Sequence, residues 1–564
     1  VGGMQVRVTG PGGLITDVYE IFLNADLKLL FGTVLLVLIL LLLIYRSPIL
    51  PFVPLITVGF GYFVAGGLLA LGATAAGATL SGQATSLMVI LLFGAGTDYA
   101  LLLISRYREE LAREPDARLA LATALTETWE AIAASGMTVT LAVLTLAFAT
   151  YGDYVSFAPV LGVGVFVTLI AGLTLMPALL AVLGRRAFWP RVPRMGDETR
   201  HRTWQRVADA VAARPKRAAG GVAVVLLFLA LGCLLYSPRF SFTEDFLQNM
   251  PSKQGYTLLE KHFPQGSLAP TSVLMQFPDV PPESAVGAAI GALQQSPGVS
   301  SAFPTGVADN GKLLSFQVIY KGDPYDKGTL EQIPALRDAA RGVAATAGGT
   351  VLIGGPTAMQ ADTWAISNHD TILVAIIALL VVGVILALLL RALVAPAYLL
   401  AINVLSYLAA RGATIFITEK LFGWDHISYR IPLYMFIFLV ALGSDYNIFI
   451  TTRIRSEAFA HGLKDGTVRA LAATGGVLTS AGVILAGTFL ILLSQPVKDL
   501  VEISIGVAIG VLLDTFLVRT ALVPGVTLAL GPVVGWPGRR WTRTRGPAEG
   551  DDVQPSPAQA GGTE

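Results

Sequence analysis

Long apolar runs with few charged residues recur along almost the whole chain. A helix needs about 20 mostly apolar residues to cross a hydrocarbon core of about 30 Å. Ten runs approach or exceed that length, and the longest can form two helices separated by its small and polar residues 72–83. The runs lie at 29–45, 47–97, 131–152, 154–184, 218–238, 371–390, 392–410, 431–452, 470–497 and 500–523. The pattern therefore predicts an all-α polytopic membrane protein with eleven spans.

The composition supports this class and excludes others. Of the 564 residues, 54% are hydrophobic and only 14% are charged, whereas soluble domains carry about 25% charged residues. The mean hydropathy of +0.66 is far too high for a disordered chain. The net charge of +1 provides no field that would attract nucleic acid. The single cysteine, Cys233, excludes an intrachain disulfide and a cysteine-rich metal cluster.

The connections between the runs are alternately basic and neutral. Ten Lys or Arg residues lie in 185–217, and four lie in each of 106–118, 453–469 and 539–545. Basic connections of membrane proteins face the cytoplasm. We therefore expect a multi-pass membrane protein, with its basic loops and C-terminal tail inside and its large polar insert outside.

The polar insert predicts a soluble α+β domain. Its pattern indicates a strand–helix–strand–strand–helix–strand order, which is that of a ferredoxin-like layer. The strands are expected at 272–277, 299–303, 313–320 and 350–353, and the helices at 282–295 and 330–347. The insert contains no metal-ligand or nucleophile motif.

The two halves of the chain form a parallel repeat. Residues match at offsets of 345 and 347, including Gly10-Pro11 with Gly355-Pro356, Arg46 with Arg391, Asp98 with Asp445, and Pro177 with Pro524. The second half starts with a helix and the insert, whose counterparts would precede residue 1. We therefore expect a missing upstream segment of about 130 residues and a full architecture of six plus six spans, with a natural eleven-span protein as the alternative.

The repeat and the spans together predict the domain boundaries. They are 1–28 for the end of a first exterior domain, 29–184 for a first bundle of five spans, 185–217 for a basic cytoplasmic linker, 218–236 for the next span, 237–368 for a second exterior domain, 369–530 for a second bundle of five spans, and 531–564 for a disordered cytoplasmic tail.

Two acids inside apolar helices are the main candidates for chemistry. Asp98 and Asp445 lie at matching positions of the repeat, and each is followed by a tyrosine. Burying a carboxylate in a membrane costs at least about 2.5–3.5 kcal/mol, so a functional role in proton transfer is favoured. Adjacent helix positions point about 100° apart. The pseudo-twofold relation thus predicts crossed pairs, Asp98 with Tyr446 and Asp445 with Tyr99. A purely structural contact between two helices is the alternative.

The segments around these acids resemble a known family. GTDYALLLISRYREE at 96–110, ALGSDYNIFITTRIR at 441–455 and DTFLVR at 514–519 are similar to the signature motifs of the MmpL branch of the resistance-nodulation-division transporters. The resemblance extends over nearly the whole chain. It implies a location in the bacterial plasma membrane and proton-driven export of lipids or other hydrophobic molecules through exterior porter domains. It also implies a proton relay formed by Asp98, Tyr99, Asp445 and Tyr446.

Three further residues are candidates for supporting the relay. The family often has an aromatic residue one turn after each acid; Phe449 fits this pattern, whereas Leu102 departs from it. Asp514 lies in the middle of the last span, where it either tunes the relay or forms a structural pair, for instance with Arg519. Asn447 is expected to form a hydrogen bond between helices.

The expected function is a secondary exporter that uses the proton gradient and needs no cofactor or metal. No nucleophile–base pair or phosphate-binding loop is visible in the sequence, so an enzyme is not predicted. The expected partners are membrane lipids, a lipid or hydrophobic substrate, and either further copies of the chain or accessory envelope proteins, but no nucleic acid. The alternatives are a sterol-sensing-type lipid-binding module that does not pump and a proton-driven accessory of protein export.

Overall fold

The computed structural model describes residues 6–77, 79–195, 202–240, 245–248, 250–424 and 426–538. The helices are α1 (Pro11–Tyr45), α2 (Phe52–Ala76), α3 (Gly82–Leu111), α4 (Ala117–Leu144), α5 (Gly152–Leu183), α6 (Arg202–Ala213), α7 (Pro215–Ala230), α8 (Pro251–His262), α9 (Glu283–Gln294), α10 (Lys327–Leu330), α11 (Ile333–Thr346), α12 (Pro356–Leu390), α13 (Val394–Leu421), α14 (Ile431–His461), α15 (Leu463–Leu490), α16 (Lys498–Leu513) and α17 (Val523–Leu530). The strands are β1 (Pro238–Arg239), β2 (Thr271–Gln276), β3 (Val299–Ala308), β4 (Leu313–Tyr320), β5 (Thr350–Gly354) and β6 (Ile427–Ser428).

Eleven helical segments within the described residues are long and apolar enough to cross a membrane. This confirms the number of spans predicted from the apolar runs. The last span combines α16, a π-helical segment at Asp514–Leu522 and α17. We call the end of the helix bundle that carries the insert the insert end. The opposite end, where α3 and α14 finish, is the basic end.

The repeat is visible in the backbone geometry of α1 and α12. Each of these helices has 35 residues and follows a glycine with positive φ, 95° at Gly10 and 91° at Gly355. Each ends at an arginine in the left-handed conformation, with φ of 52° at Arg46 and 49° at Arg391. Both helices begin earlier than the apolar runs predicted at 29 and 371, so they extend beyond those runs at the insert end.

The centre of the bundle is formed by α3 and α14. The apolar windows of these two helices are 94% and 100% buried inside the protein, compared with 22% for α1 and α12. Such close surroundings require small residues where neighbouring helices approach. At Gly96 of α3, for example, a Cβ atom would lie 2.5 Å from the Val58 Cγ2 atom. The polar residues of α3 and α14 are therefore surrounded by protein rather than lipid.

The insert has the predicted ferredoxin-like order of elements. Its sheet has the strand order β3-β4-β2-β5, and all neighbouring strands are antiparallel. The side chains of Val273, Phe316 and Leu336 are fully buried in a core that is separate from the core of the spans. Together with the apolar helices, this arrangement confirms the predicted fold class.

Two segments predicted as linker and tail contain ordered structure. Helix α6 lies in the basic linker and packs against α15, where a Cβ atom on Gly475 would be 2.4 Å from the Trp204 ring. In the predicted tail, Val534 is fully buried and the Trp536 carbonyl accepts a hydrogen bond of 2.8 Å from the Leu393 N–H. The expectation of disorder was therefore wrong for residues 531–538. Residues 539–564 lie outside the described residues.

A buried acid joins the two halves of the bundle at the insert end. Asp370 of α12 is fully buried, and its Oδ2 atom accepts hydrogen bonds from the N–H groups of Thr150 (2.9 Å) and Tyr151 (2.8 Å), which precede α5. We expect Asp370→Ala to lower the free energy of unfolding by about 2–3 kcal/mol, because two buried N–H groups lose a charged acceptor. Thermal unfolding in detergent measures the effect. The exposed Asp338 provides the control, and an equal shift for Asp338→Ala would refute this role for Asp370.

Candidate functional site

The four residues predicted from the repeat lie buried at the centre of the bundle. Asp98 and Tyr99 are on α3, Asp445 and Tyr446 are on α14, and none of the four is more than 6% exposed. The Tyr446 hydroxyl donates a hydrogen bond to the Asp98 carboxylate at Oδ2. The structure therefore brings together one crossed pair, with one member from each half of the repeat.

The second crossed pair is not formed. Within the described residues, neither the Tyr99 hydroxyl nor the Asp445 Oδ1 atom has a partner at hydrogen-bond distance and angle, and the side chain close to both groups is that of Ser135 on α4. The predicted Asp445–Tyr99 contact was therefore wrong in its geometry. The site is asymmetric although the two motifs match.

An arginine from the last span adds to this asymmetry. The Arg519 guanidinium lies over the Tyr446 ring, with 3.3 Å between its central carbon and the ring centroid. The residue that precedes Arg519 by 347 positions is Gly172, and a Cβ atom there would lie 3.8 Å from the Tyr99 ring. At matching positions of the repeat, Tyr446 thus has an arginine beside its ring, whereas Tyr99 has a glycine. Only the Tyr446 phenol is positioned by a cation–π contact.

Asp514 and Arg519 do not form the ion pair that was offered as one alternative. The Asp514 Oδ1 atom accepts a hydrogen bond of 2.5 Å from the Ser406 hydroxyl of α13. The three guanidinium nitrogens of Arg519 are buried without a hydrogen-bond partner in the described part of the chain. Gly443 makes room for the acid, since a Cβ atom there would lie 2.8 Å from the Asp514 Oδ2 atom.

The charges of the site are unbalanced. Asp98, Asp445 and Asp514 are three buried carboxyl groups, and Arg519 is the cation near them. Three ionised carboxylates beside one guanidinium would leave buried negative charge uncompensated, which is costly. Within the described residues, the site therefore has more acidic groups than cations to balance them.

Asn447 forms an interhelical link, as its place in the sequence predicts. Its Nδ2 atom donates a hydrogen bond of 2.7 Å to the Asn403 Oδ1 atom. The Asn403 Nδ2 atom in turn donates one of 2.9 Å to the Ser444 hydroxyl. The link joins α13 to α14 beside the Asp445 position and so fixes the helix that carries the acid.

A cavity of about 500 Å³ extends from the basic end towards the acids. Leu102 and Phe449, each one helical turn beyond an acid, line this cavity. Nearer the basic end it is lined by charged residues that include Arg106 and Glu127, which form an ion pair. Between the central acids and the basic end there is thus a polar space that begins behind two apolar side chains.

Sequence reasoning missed Ser406 and considered Arg519 only as a partner of Asp514. Ser406 accompanies Asp514, and Arg519 contacts Tyr446 rather than an acid. The charge of Arg519 inside an apolar span was a signal for its importance, but its partner was not predictable because the Asp514–Leu522 segment is π-helical. A π-helical turn changes the face on which each side chain lies. The Ser406 position has no comparable signal, since small polar residues are common in spans.

Comparison with known proteins places these features in a family. The family model for the MMPL family matches residues 1–218 and 246–559. A putative membrane protein of Streptomyces coelicolor is 41% identical over 547 residues, which cover 96% of this chain and 65% of that protein. The apo-petrobactin exporter of Bacillus anthracis is 38% identical over 95% of this chain and 75% of its own length. The sulfolipid-1 exporter MmpL8 of Mycobacterium tuberculosis is 35% identical over 43% of this chain and 22% of its own length.

A solved structure supports the fold. SecDF, a translocon-associated membrane protein from Thermus thermophilus, matches with a TM-score of 0.55 at 17% identity. The match covers 93% of this chain and 63% of that chain. At this identity the likeness shows the fold alone. The chain spans about 65% of the length of the Streptomyces coelicolor relative.

Proposed function

We propose that this chain, which belongs to the MMPL family, exports a lipid or another hydrophobic small molecule across the plasma membrane, driven by inward movement of protons. The observation that carries the proposal is the buried contact between Asp98 and Tyr446 across the two halves of the repeat. The exporter names of the relatives from Bacillus anthracis and Mycobacterium tuberculosis support the same class of activity.

The proton relay follows from this contact. An ionised Asp98 attracts the Tyr446 hydroxyl, and a proton on Asp98 removes the charge that holds the two groups together. Because the groups belong to different halves, each uptake and release of a proton changes the contact between the halves. The polar cavity lined by Leu102 and Phe449 is the proposed exit for the proton towards the cytoplasm.

The proton gradient supplies sufficient energy for export. One charge that crosses a potential of 100 mV releases about 2.3 kcal/mol. This energy sustains a concentration ratio of about 50 for an uncharged substrate. We propose that the substrate enters from the outer leaflet or its boundary with the exterior, and that the insert domain guides it away from the membrane.

Deletion of the gene in its natural host tests the proposed function. We expect one or more lipids or hydrophobic small molecules to disappear from the extracellular and cell-surface extracts and to return when the gene is restored. A protonophore should stop this export within minutes. Because relatives are named for apo-petrobactin and sulfolipid-1, the extracts should be screened for both polar and lipid cargo. Unchanged extracts, or export that resists the protonophore, would contradict the proposal.

The stacked arginine provides a more specific prediction. Arg519→Lys keeps the positive charge but loses the planar group that lies on Tyr446, so we expect the initial export rate to fall by about tenfold or more. The matched control is Arg411→Lys, since the Arg411 guanidinium also lies over a tyrosine, Tyr236, at 4.5 Å, but away from the acids. Equal losses in the two variants would show that the relay does not depend on this contact.

A further inference from the structure

A second group of buried charges lies at the insert end, outside the site described above. We call it the stem cluster and define it by Arg239, Asp245, Arg430, Asp499 and Glu502. The side chains of Arg239, Asp499 and Glu502 are no more than 3% exposed. A group of this kind is unfavourable unless its members are closely paired, so its contacts indicate what it holds together.

Arg239 is at the centre of the stem cluster. Its Nε atom donates to the Asp245 carboxylate at 2.9 Å. Its Nη1 atom donates to Glu502 at 2.9 Å and to the His426 carbonyl at 2.9 Å. Its Nη2 atom lies 3.4 Å from the Asp499 Oδ1 atom. One guanidinium therefore binds three carboxylates, which an ammonium group on a single flexible stem does not reproduce.

The contacts of Arg239 join the root of the insert domain, by which we mean β1 and residues 245–247, to two spans. Arg239 lies in β1, which follows the α7 span and pairs with β6 just before α14. Asp499 and Glu502 are near the start of α16. The backbone adds two bonds between the same segments, from Lys498 N–H to the Asp245 carbonyl (2.7 Å) and from Leu247 N–H to the Pro496 carbonyl (2.8 Å).

These two spans are the ones that carry the second-half groups of the central site. Asp445 and Tyr446 are on α14, while Asp514 and Arg519 follow α16 in the last span. Both helices therefore begin at the stem cluster and extend inward to the acids.

The stem cluster also reaches the first half of the bundle. The Arg430 guanidinium lies 3.4 Å from Asp499 and 3.6 Å from Asp153, which is at the start of α5. It also donates to the Tyr151 hydroxyl at 3.3 Å. Four acids thus face two arginines. Burial and the Asp499 carboxylate raise the pKa of Asp245 to about 7, although Arg239 and Arg430 act in the opposite direction.

We propose that the stem cluster couples the protonation state of the central acids to the position of the insert domain, with Arg239 as the positioning residue that joins the domain's root to α14 and α16. The inference rests on the proposed function, because it assigns the mechanical link between the proton relay and the exterior domain. Asp445 lies about four helical turns from Arg430 along α14. If the cluster only stabilised the fold, neutralising Asp445 would not change the position of the insert domain through it.

Distance measurements between two spin labels test the coupling. The only cysteine, Cys233, is replaced by serine, and labels are placed at the exposed positions of Ser284 in the insert domain and Ala147 at the insert end of the first half. Asp445→Asn serves as a permanently neutral form of the central acid. The labelled protein and its Asp445→Asn variant are placed in nanodiscs, and the distance between the two labels is measured in each by pulsed electron double resonance.

We expect Asp445→Asn to shift the distance distribution when the stem cluster is intact. The shift should be lost in Arg239→Gln/Glu502→Gln, which removes one charge of each sign and so leaves the net charge of the stem cluster unchanged. The matched control, Arg341→Gln, affects an exposed arginine of the insert domain that pairs with Asp338, and it should keep the shift. The export rate of the double variant should fall about tenfold.

The outcomes separate this inference from the proposed function. A shift of full size in the folded double variant, or no shift with the intact cluster, would overturn the coupling role of Arg239. The proton relay is judged independently by the export rates of Asp98→Asn and Asp445→Asn. Normal export in those two variants would overturn the proposed function, whatever the distances show.

Discussion

Replacement of either central acid by asparagine is expected to lower proton-driven export by about 100-fold or more, while the protein still inserts and folds. Asparagine has nearly the shape of aspartate, and at position 98 it retains an oxygen that can accept the Tyr446 hydrogen bond, but it does not take up and release a proton. Asp98→Asn and Asp445→Asn should therefore separate the proton chemistry of the site from its packing. The initial export rate in energised cells, normalised to the amount of protein in the membrane, measures the effect.

A second buried acid provides the matched control for these variants. Asp370 also lies in a span and is fully buried, but it binds backbone N–H groups at the insert end. Asp370→Asn retains one acceptor oxygen and should leave most of the export activity intact. Export that persists in Asp98→Asn and Asp445→Asn, or that is lost equally in all three variants, would contradict the relay.

The same variants distinguish the exporter from a lipid-binding module that does not pump. Both interpretations predict that purified protein binds lipid. Only the exporter requires the acids, so Asp445→Asn should retain lipid binding and lose transport. If the loss of binding parallels the loss of transport, the acids act on the substrate site or on the fold and not on a proton path.

The central acids were predictable because their environment makes them conspicuous. An aspartate in an apolar helix is unfavourable in a membrane, so Asp98 and Asp445 stand out from their surroundings without any knowledge of the fold. The repeat then places one opposite the tyrosine of the other. The contact of Asp98 with Tyr446 in the structure was predicted from these two features, but the same two features also predicted the Asp445–Tyr99 contact, which is not formed.

The asymmetry of the site was not predicted, although the residues that produce it are visible in the sequence. The repeat was interpreted as if both halves contributed equally. At an offset of 347, however, Asp514 corresponds to Val167 and Arg519 to Gly172. Comparison of the last span with its counterpart would have indicated that only the second half carries these two charged residues. The π-helical geometry that brings Arg519 to this ring has no clear signal in an apolar span.

The stem cluster was beyond the reach of sequence reasoning for a different reason. Arg239, Arg430 and Asp499 are far apart in the chain, and each stands near the end of an apolar run. Charged residues at such places are typical of the membrane surface, so none of them is conspicuous. Their burial depends on the pairing of β1 with β6, and two strands of two residues each are too short to be predicted from a pattern.

A methyl group added to Gly412 is expected to detach the α7 span from the bundle. At this glycine α13 and α7 approach so closely that a Cβ atom would lie 2.1 Å from the Leu229 carbonyl oxygen. The obstacle is backbone, which cannot rotate away as a side chain can. Only 17% of the apolar window of the α7 span is buried, and its other main neighbour is the last span. We expect Gly412→Ala to lower the free energy of unfolding by about 1–3 kcal/mol and the amount of folded protein with it.

The facing glycine makes this prediction sharper. A Cβ atom on Gly232 would lie 2.2 Å from the Gly412 carbonyl oxygen, so Gly232→Ala should act in the same way. Once the first methyl group has moved the helices apart, the second methyl group clashes less with the facing backbone. The double variant should therefore be less destabilised than the sum of the two single variants, since neighbouring sites are not additive. Gly67→Ala in α2, where a Cβ atom meets nothing within 4 Å, is the control. Thermal unfolding that is the same for Gly412→Ala and Gly67→Ala would show that α7 does not depend on this contact.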